Sequence, residues 1–344
     1  MSRKKARKPI VALTVGDYNG IGPEVVIKSV LHPSVRKVCQ PVLIGPAAVF
    51  EHYSKKLRAP LHLQKADSSA WNVGWLNSVR SGAVPIIESS RVSKSAISPG
   101  RITKGAGGTS LAAIRAAVRL AKSGRVDAVV TAPISKEALR KAGSRFPGHT
   151  ELLQRLTSAH DVAMMLVAPG MKVGLVTIHV PLKKVSGLFT RELLRRRIQV
   201  IHDALAVDWR IRSPRLAVLG LNPHAGENGS IGLEEEKCIA PVIRTFGSRG
   251  MRIEGPFPAD GFFGQKRFVE FDAVIAMYHD QGLIPLKMQA FATGVNVTAG
   301  LPIVRTSPDH GTAFDIAGRG KADPSSMIAA IKLAVGIARN RRAR

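Results

Sequence analysis

The feature that most constrains the fold is a repeated alternation of short apolar runs with longer amphipathic stretches. The runs are rich in Val, Ile and Leu, as buried strands are, and the stretches between them carry apolar residues at helical spacing. This alternation predicts an α/β fold with a largely parallel sheet. The expected strands are Ile10–Val15, Val42–Ile44, Ala128–Val130, Val173–Ile178, Leu216–Leu221 and Ala273–Met277, and the expected helices include Leu111–Lys122, Glu192–Ala206 and Glu234–Phe246.

The length and the cysteine content narrow the class of protein. A chain of 344 residues favours two domains, because one hydrophobic core usually stops growing at about 250–300 residues. No apolar run approaches the ~20 residues that a bilayer crossing requires, so we expect no membrane partner. The only cysteines are Cys39 and Cys238, which fits a reducing cytoplasm and argues against a disulfide scaffold or a thiolate metal site.

The net charge is unusual at +27, from 51 Lys and Arg against 24 Asp and Glu. The electric field of such a positive charge attracts anions, which could be nucleic acid, an acidic membrane or phosphorylated small molecules. The basic residues cluster at Arg3–Lys8, Arg191–Arg197 and Arg339–Arg344. No zinc-finger, RNP-type or heptad pattern accompanies them, so a solvated surface is favoured over nucleic-acid binding.

Three of the expected strands are each followed by a histidine, namely His179, His224 and His279. In open α/β sheets, ligands bind at the carboxyl edge of the strands. Neutral imidazole is a favoured ligand of zinc and related divalent metals, and a catalytic site keeps three protein ligands and one open position. The pattern therefore indicates a shared metal site. The alternative is three separate loop histidines held by ordinary hydrogen bonds.

Two further groups of residues suit an anionic ligand. His149 and Thr150 begin a helical run, where backbone N–H groups can bind an anion, although Thr150 could simply cap the helix. Lys287, Asn296 and Arg305 follow the His279 strand and suit a phosphate or carboxylate, with ordinary surface positions as the alternative. The common dinucleotide, P-loop, zinc-protease and hydrolase motifs do not occur, so any dinucleotide must be held by another kind of loop.

Several blocks of sequence, in order along nearly the whole chain, resemble the 4-hydroxythreonine-4-phosphate dehydrogenase family. The resemblance implies two α/β/α domains with a cleft between them, in an isocitrate/isopropylmalate dehydrogenase-like fold. The implied domains are 1–147 with 298–344, which includes the NAD loop, and 148–297, which carries the metal ligands and dimer contacts. It also implies a homodimer with the active site at the subunit interface. The blocks are Gly16–Glu24, Gly148–Glu151, Leu221–Glu227, Tyr278–Gly282 and Asn296–Asp323.

The resemblance also implies roles for individual residues. The metal, which would be zinc, magnesium or cobalt, is bound by three histidines, the third of which comes from the partner subunit. The cofactor is NAD or NADP, held by a loop that begins at His310. The general base is left open between His149 and Asp260. The implied metal ligands are His179, His224 and His279; the substrate residues are His149, Thr150, Lys287, Asn296 and Arg305; the cofactor residues are His310, Gly311, Asp315 and Gly318.

The activity implied by the resemblance is the metal-dependent oxidation of 4-phosphooxy-L-threonine, followed by decarboxylation to 3-amino-2-oxopropyl phosphate in pyridoxal phosphate synthesis. One alternative is a sister dehydrogenase for 4-phospho-D-threonate or 4-phospho-D-erythronate. The others are a phosphate acyltransferase on the same fold and a basic nucleic-acid-binding protein. The chain departs from the family pattern at Tyr18-Asn19 and at Gly261 after Asp260, which bears on local substrate contacts.

Overall fold

The computed structural model describes residues 7–66, 71, 73–76, 78–146 and 148–343, so Arg3, Lys4, Lys5 and Pro147 lie outside the described residues. The chain divides into two compact units. Unit 1 runs to Ser158 and resumes over Pro302–Ala343, and unit 2 is Ala159–Leu301. Strands and helices alternate in both units, which confirms the predicted α/β class.

Unit 1 is built on parallel strands in the order β3-β4-β2-β1-β5-β12. The central strands are buried on both faces, as parallel strands covered by helices are. Edge strand β3 is partly polar, so it lacks the apolar run by which the other strands are predicted. The strands are β1 (Ile10–Thr14), β2 (Gln40–Ile44), β3 (Leu63–Ala66), β4 (Val84–Ile87), β5 (Ala128–Val130) and β12 (Arg305–Pro308).

Several helices of unit 1 begin or end at residues that favour a helix terminus. Pro23 lies in the first turn of its helix, and the carboxylate of Asp323 accepts a hydrogen bond from the backbone N–H of Ser325 at the start of the last helix. Gly124 and Gly143 have positive φ after helices, where a left-handed residue commonly ends a helix. The helices are α1 (Gly22–Leu31), α2 (Pro33–Val38), α3 (Ala47–Lys56), α4 (Val73–Leu76), α5 (Lys104–Lys122), α6 (Lys136–Lys141), α7 (His149–Thr157) and α13 (Ser325–Arg342).

One expected boundary differs from the observed one. Residues from 148 onward are predicted to belong to the second domain, but helix α7 belongs to unit 1. The physical reason is packing: Leu152 and Leu153 of α7 are buried, and α7 lies against α5. His149 and Thr150 therefore belong to the same unit as Arg305.

Unit 2 has a mixed sheet in the order β11-β6-β7-β10-β8-β9. Strands β7, β10, β8 and β9 are parallel, whereas β6 runs antiparallel to both β7 and β11. The observed strands around the histidines end earlier than predicted, because the chain turns before it reaches each histidine. The strands are β6 (Ala163–Ala168), β7 (Met171–Leu175), β8 (Arg215–Leu219), β9 (Arg252–Phe257), β10 (Ala273–Ala276) and β11 (Val295–Ala299).

The helices of unit 2 are α8 (Val185–Leu188), α9 (Arg191–Asp208), α10 (Ala240–Gly247), α11 (Ala259–Gly264) and α12 (His279–Ala290). A π-helical turn, Glu235–Ile239, precedes α10. Pro241 explains this turn, since it has no N–H to donate to the carbonyl of Lys237; the side chain of Arg191 donates to that carbonyl instead. Within the described part of the chain, none of the helices combines the length and the apolar character that a bilayer crossing requires.

Helix α12 is the element that brings a predicted ligand to the edge of the sheet. Its Leu283 and Leu286 belong to the core cluster of unit 2, together with Val173 and Leu175 of β7. A Cβ at Gly282 would lie 2.5 Å from a methyl group of Val173, so only glycine allows the helix to pack this closely on the sheet. The first residue of α12 is therefore held directly beside the strand ends.

Candidate active site

The three predicted metal ligands follow three neighbouring parallel strands. His179 follows β7, His279 follows β10 and His224 follows β8, and β10 pairs with β7 on one side and with β8 on the other. Adjacent strands are about 4.7–4.9 Å apart, so their carboxyl ends form one short stretch of sheet edge. This is the edge at which α/β sheets bind ligands.

Two of the histidines are close together in the single chain. The ring centroids of His179 and His279 are 5.8 Å apart. Two imidazoles on one tetrahedral zinc have centroids roughly 5 Å apart, from a Zn–N distance of about 2.0–2.1 Å. The Nδ1 of His279 lies 2.6 Å from a carboxylate oxygen of Asp280. A carboxylate on the second ring nitrogen is the usual way to orient a metal-binding imidazole, and here it leaves Nε2 available.

His224 does not join this pair, because no group of three His, Cys, Asp or Glu residues suited to a metal exists among the described residues of the single chain. Its backbone is unusual, since φ is positive at His224, Ala225, Glu227 and Asn228. Positive φ costs energy in non-glycine residues, and such strain concentrates at functional sites. His224 is exposed on this left-handed turn.

Two side chains outside the predicted site residues, Gln281 and Glu235, hold the strand ends in place. Gln281 accepts from the backbone N–H of Met277 at 2.7 Å and donates to the carbonyl of Gly220 at 2.7 Å, which joins the ends of β10 and β8. Buried Glu235 accepts from the N–H groups of Leu221 and Asn222 at 2.7 and 2.8 Å. The contacts of Gln281 with Gly220 and of Glu235 with Leu221 join residues 61 and 14 positions apart in the chain, so no local pattern indicates them.

Unit 1 brings together His149 and Arg305. The guanidinium of Arg305 is buried and donates to the hydroxyl of Thr131 through Nε at 3.2 Å and through Nη2 at 2.6 Å. Burial lowers the pKa of Arg305 to about 9, so it stays positively charged at neutral pH. Burial and the charge of Arg305 hold the pKa of His149 well below 6.5, so its ring is neutral. Thr150 is not a cap, because Gly148 occupies the N-cap position of α7 and no side chain caps the helix.

Three of the predicted site residues carry a buried polar atom without a hydrogen-bond partner among the described residues. The atoms are Nε2 of His149, Oδ1 of Asn296 and Nε2 of His310. Unpaired buried polar atoms are rare in folded proteins, since each costs about 1–3 kcal/mol. A bound ligand is a physical reason for such atoms. Lys287 lies on α12 and is partly buried, whereas Asp260 is exposed near the start of α11.

The predicted cofactor loop, His310–Gly318, packs on the first glycine motif of unit 1. The backbone N–H of Ile21 donates to the carbonyl of Thr312 at 2.9 Å. A Cβ at Gly20 would lie 2.8 Å from the same carbonyl oxygen, so this glycine serves close backbone packing. Asp315 and Gly311 are exposed on the loop, while Gly318 is buried with a φ of 71°.

Asp17 is a buried acid in the block Gly16–Glu24 and is not among the predicted site residues. Its Oδ1 accepts from the N–H of Asn19 at 2.9 Å, and its Oδ2 is buried without a hydrogen-bond partner in the described residues. Burial raises the pKa of Asp17 from 3.8 to about 6, against the lowering effect of the N–H groups of Asn19 and Gly20. An aspartate beside glycines reads as a turn residue in sequence, and only its complete burial distinguishes it.

The sequence and the fold of this chain are similar to those of one known protein family. The pattern of the family described as pyridoxal phosphate biosynthetic protein PdxA matches residues 37–334. A 4-hydroxythreonine-4-phosphate dehydrogenase of Desulforapulum autotrophicum is 43% identical over 327 residues, which cover 95% of each chain. A D-threonate 4-phosphate dehydrogenase of Cupriavidus necator is 41% identical over 337 residues, 97% of this chain and 98% of that one. The crystal structure of 4-hydroxythreonine-4-phosphate dehydrogenase from Klebsiella pneumoniae matches with a TM-score of 0.85 at 39% identity, and the match covers 96% of this chain and 100% of that one.

Proposed function

The chain belongs to the pyridoxal phosphate biosynthetic protein PdxA family, and on this premise we propose that it is an NAD-linked, divalent-metal-dependent 4-hydroxythreonine-4-phosphate dehydrogenase. The observation that carries the proposal is the row of three histidines that follow three adjacent parallel strands. The family and this row together favour the dehydrogenase over a phosphate acyltransferase, which needs no histidine site, and over a nucleic-acid-binding protein.

The reaction has two steps. The secondary alcohol of the substrate loses a hydride from carbon and a proton from oxygen, and the resulting β-keto acid then loses CO₂ to give 3-amino-2-oxopropyl phosphate. When bound, a divalent cation would polarise the alcohol oxygen as a Lewis acid, and NAD would accept the hydride. The residues that would hold the cation are His179, His224 and His279, and Asp280 would fix the orientation of the last ring.

The substrate is an anion, and the charges of unit 1 suit one. Arg305 offers a buried guanidinium, which forms charge-assisted hydrogen bonds with phosphate or carboxylate. Neutral His149 offers its unpaired Nε2 nearby, and Thr150 lies beside it in the first turn of α7. We assign these three residues to the anionic group of the substrate. Lys287 and Asn296 are the substrate residues that we assign to unit 2, since Asn296 also has an unpaired buried oxygen.

The proton acceptor is one of two residues. The depressed pKa of His149 makes it a weak base, which suits a hydrogen-bonding role toward the substrate. Asp260 is exposed in the single chain. We therefore propose to separate them by single-turnover measurement of hydride transfer in His149→Gln and Asp260→Asn. Loss of the base slows hydride transfer at saturating substrate, whereas loss of a binding residue is overcome by raising the substrate concentration.

We propose that the enzyme is a homodimer that shares its metal site between subunits. The large exposed apolar side chains of the described residues all lie in unit 2. Ile284, Met288 and Phe291 form one stripe on and just beyond α12, with exposures of 58%, 84% and 83%. A stripe of this kind marks an interaction surface, and α12 begins with His279. A second copy on this surface would place its own histidines near the His179–His279 pair.

Mixed dimers test the sharing of the metal site. Two inactive variants, such as His224→Ala and His279→Ala, are combined as mixed dimers. If the two residues serve one site from different subunits, about a quarter of wild-type activity returns, because half of the dimers are mixed and each contains one complete site. If both come from the same subunit, no activity returns. The same test on His179 with each of the others identifies the ligand that crosses the interface, for which the observed pair favours His224 over the predicted His279.

A substrate panel tests the proposed function as a whole. The formation of NADH or NADPH is measured with 4-phosphooxy-L-threonine, 4-phospho-D-threonate and 4-phospho-D-erythronate, with added zinc, magnesium or cobalt and with a chelator. We expect the highest kcat/KM with 4-phosphooxy-L-threonine and loss of activity with the chelator. Preference for 4-phospho-D-threonate would support the second candidate function, which the relative from Cupriavidus necator favours. Activity that resists chelation, or no activity with any of the three substrates, would refute the proposal.

A further inference from the structure

Asn19, in the turn after β1, holds a separate segment of unit 1 by four hydrogen bonds. Its Oδ1 accepts from the N–H of Ser98 at 2.8 Å. Its Nδ2 donates to the carbonyl of Arg101 at 3.0 Å and to the hydroxyl of Thr103 at 3.2 Å. Its backbone carbonyl accepts from the N–H of Gly100 at 2.8 Å. The side chain is fully buried, so all its polar groups are used to hold the segment Ser98–Thr103.

The segment Ser98–Thr103 in turn lies against the predicted cofactor loop. A Cβ at Gly318 would lie 3.1 Å from the ring of Pro99, and a Cβ at Gly100 would lie 3.3 Å from the carbonyl oxygen of Phe314. The other side of the loop rests on the turn that contains Asn19, through the hydrogen bond from Ile21 to Thr312. The loop His310–Gly318 is therefore supported by two pieces of chain, and Asn19 ties these two pieces together.

We propose that Asn19 is a positioning residue for the dinucleotide: it sets the shape of the cofactor loop without contacting the reacting atoms. This inference rests on the proposed function, because NAD is the cofactor of that function and the family resemblance implies that this loop holds it. It also explains the departure of the chain from its family pattern at Tyr18-Asn19. Both residues are buried, and the carbonyl of Tyr18 accepts from the hydroxyl of Tyr53 at 2.7 Å. The pair therefore serves internal contacts of unit 1.

The expected effect of losing Asn19 follows from preorganisation. Asn19→Ala leaves the N–H of Ser98 and the carbonyl of Arg101 without their partners, so the segment can move away from the loop. A binding loop that must be ordered by its ligand binds more weakly than one that is already ordered. We expect the Kd for NADH to rise about tenfold, with the KM for NAD rising in parallel. The kcat, the KM for the phosphorylated substrate and the metal content should stay within about twofold of wild type.

The experiment compares Asn19→Ala with two other variants. Pro99→Gly removes the ring that contacts Gly318 without disturbing the buried turn, so it tests the same contact if Asn19→Ala folds poorly. Asp127→Ala is the control for lost stability, because Asp127 accepts from the N–H of Ile10 at 2.6 Å at the amino end of the same sheet, away from the loop. NADH affinity is measured by calorimetric titration, and the flexibility of residues 310–318 by hydrogen exchange without cofactor.

The two readouts separate this inference from the proposed function. We expect faster exchange over residues 310–318 and weaker NADH binding in Asn19→Ala and Pro99→Gly, with neither change in Asp127→Ala. Unchanged exchange and unchanged NADH affinity in Asn19→Ala would overturn the positioning role. Equal effects in Asp127→Ala would also overturn it, because they would reflect general destabilisation. If the wild-type protein binds no dinucleotide, the proposed function is refuted. Faster hydrogen exchange in Asn19→Ala would then show only that Asn19 restrains residues 310–318.

Discussion

The buried carboxyl of Asp17 leads to a prediction about stability. Its pKa of about 6 in the folded protein exceeds the ordinary value of 3.8, because burial disfavours the charged form. A group whose pKa is raised by folding stabilises the protein at pH values below 3.8, and this contribution is lost as the pH rises through 6. The full difference between the two pKa values corresponds to roughly 3 kcal/mol in the free energy of unfolding, at about 1.4 kcal/mol for each pKa unit. Asp17→Asn removes the titrating group and keeps an oxygen for the N–H of Asn19.

The expected result is a stability difference that grows with pH. Relative to wild type, Asp17→Asn should gain about 2 kcal/mol in free energy of unfolding between about pH 4.5 and pH 7.5. Urea unfolding followed by tryptophan fluorescence measures it. A Trp209→Phe background makes the signal specific for unit 1, because Trp71 and Trp75, the other two tryptophans, lie in unit 1.

Asp323→Asn is the matched control with the opposite sign. Hydrogen bonds from Ser325 lower the pKa of Asp323. The contribution of Asp323 to the stability of the folded protein is therefore present above pH 3.8 and lost as the pH falls below that value. Replacing it should therefore cost stability at neutral pH and cost less in acid. A stability difference between Asp17→Asn and wild type that does not change with pH would refute the argument from burial.

Three further predictions concern the proposed site and the dimer. Arg305→Ala should weaken productive binding of the phosphorylated substrate by about 2–5 kcal/mol, because a buried anion would lose its charged partner; steady-state kinetics should show a far smaller change in the KM for NAD, and equal effects would contradict the assignment. Glu235→Gln should reduce metal content and thermal stability, because the turn carrying His224 loses charge-assisted hydrogen bonds; full metal occupancy by mass spectrometry would argue against this. Met288→Asp should shift sedimentation toward the monomer, because an exposed apolar stripe would receive a charge, and an unchanged dimer would place the interface elsewhere.

The sequence was informative wherever a property depends on neighbouring residues. Buried parallel strands must be apolar, so β1, β2 and β5 were recognised within a few residues of their observed bounds. The three histidines were placed at strand ends for the same reason. Strands β3 and β11 are not predicted, because polar residues interrupt their apolar positions. The length of α5 was also underestimated, since its first turns contain glycines that local propensity disfavours.

The sequence alone therefore determined the α/β class, the family and the residues that follow the strands. Tertiary structure decided the rest. Strand order made β7, β10 and β8 neighbours, and it brought His179 to His279. The tertiary structure also decided which polar groups are buried away from water, as Asp17, His149 and Arg305 are. The physical reason is that periodicity is set by the local chain, whereas proximity and desolvation arise from contacts between residues far apart in sequence.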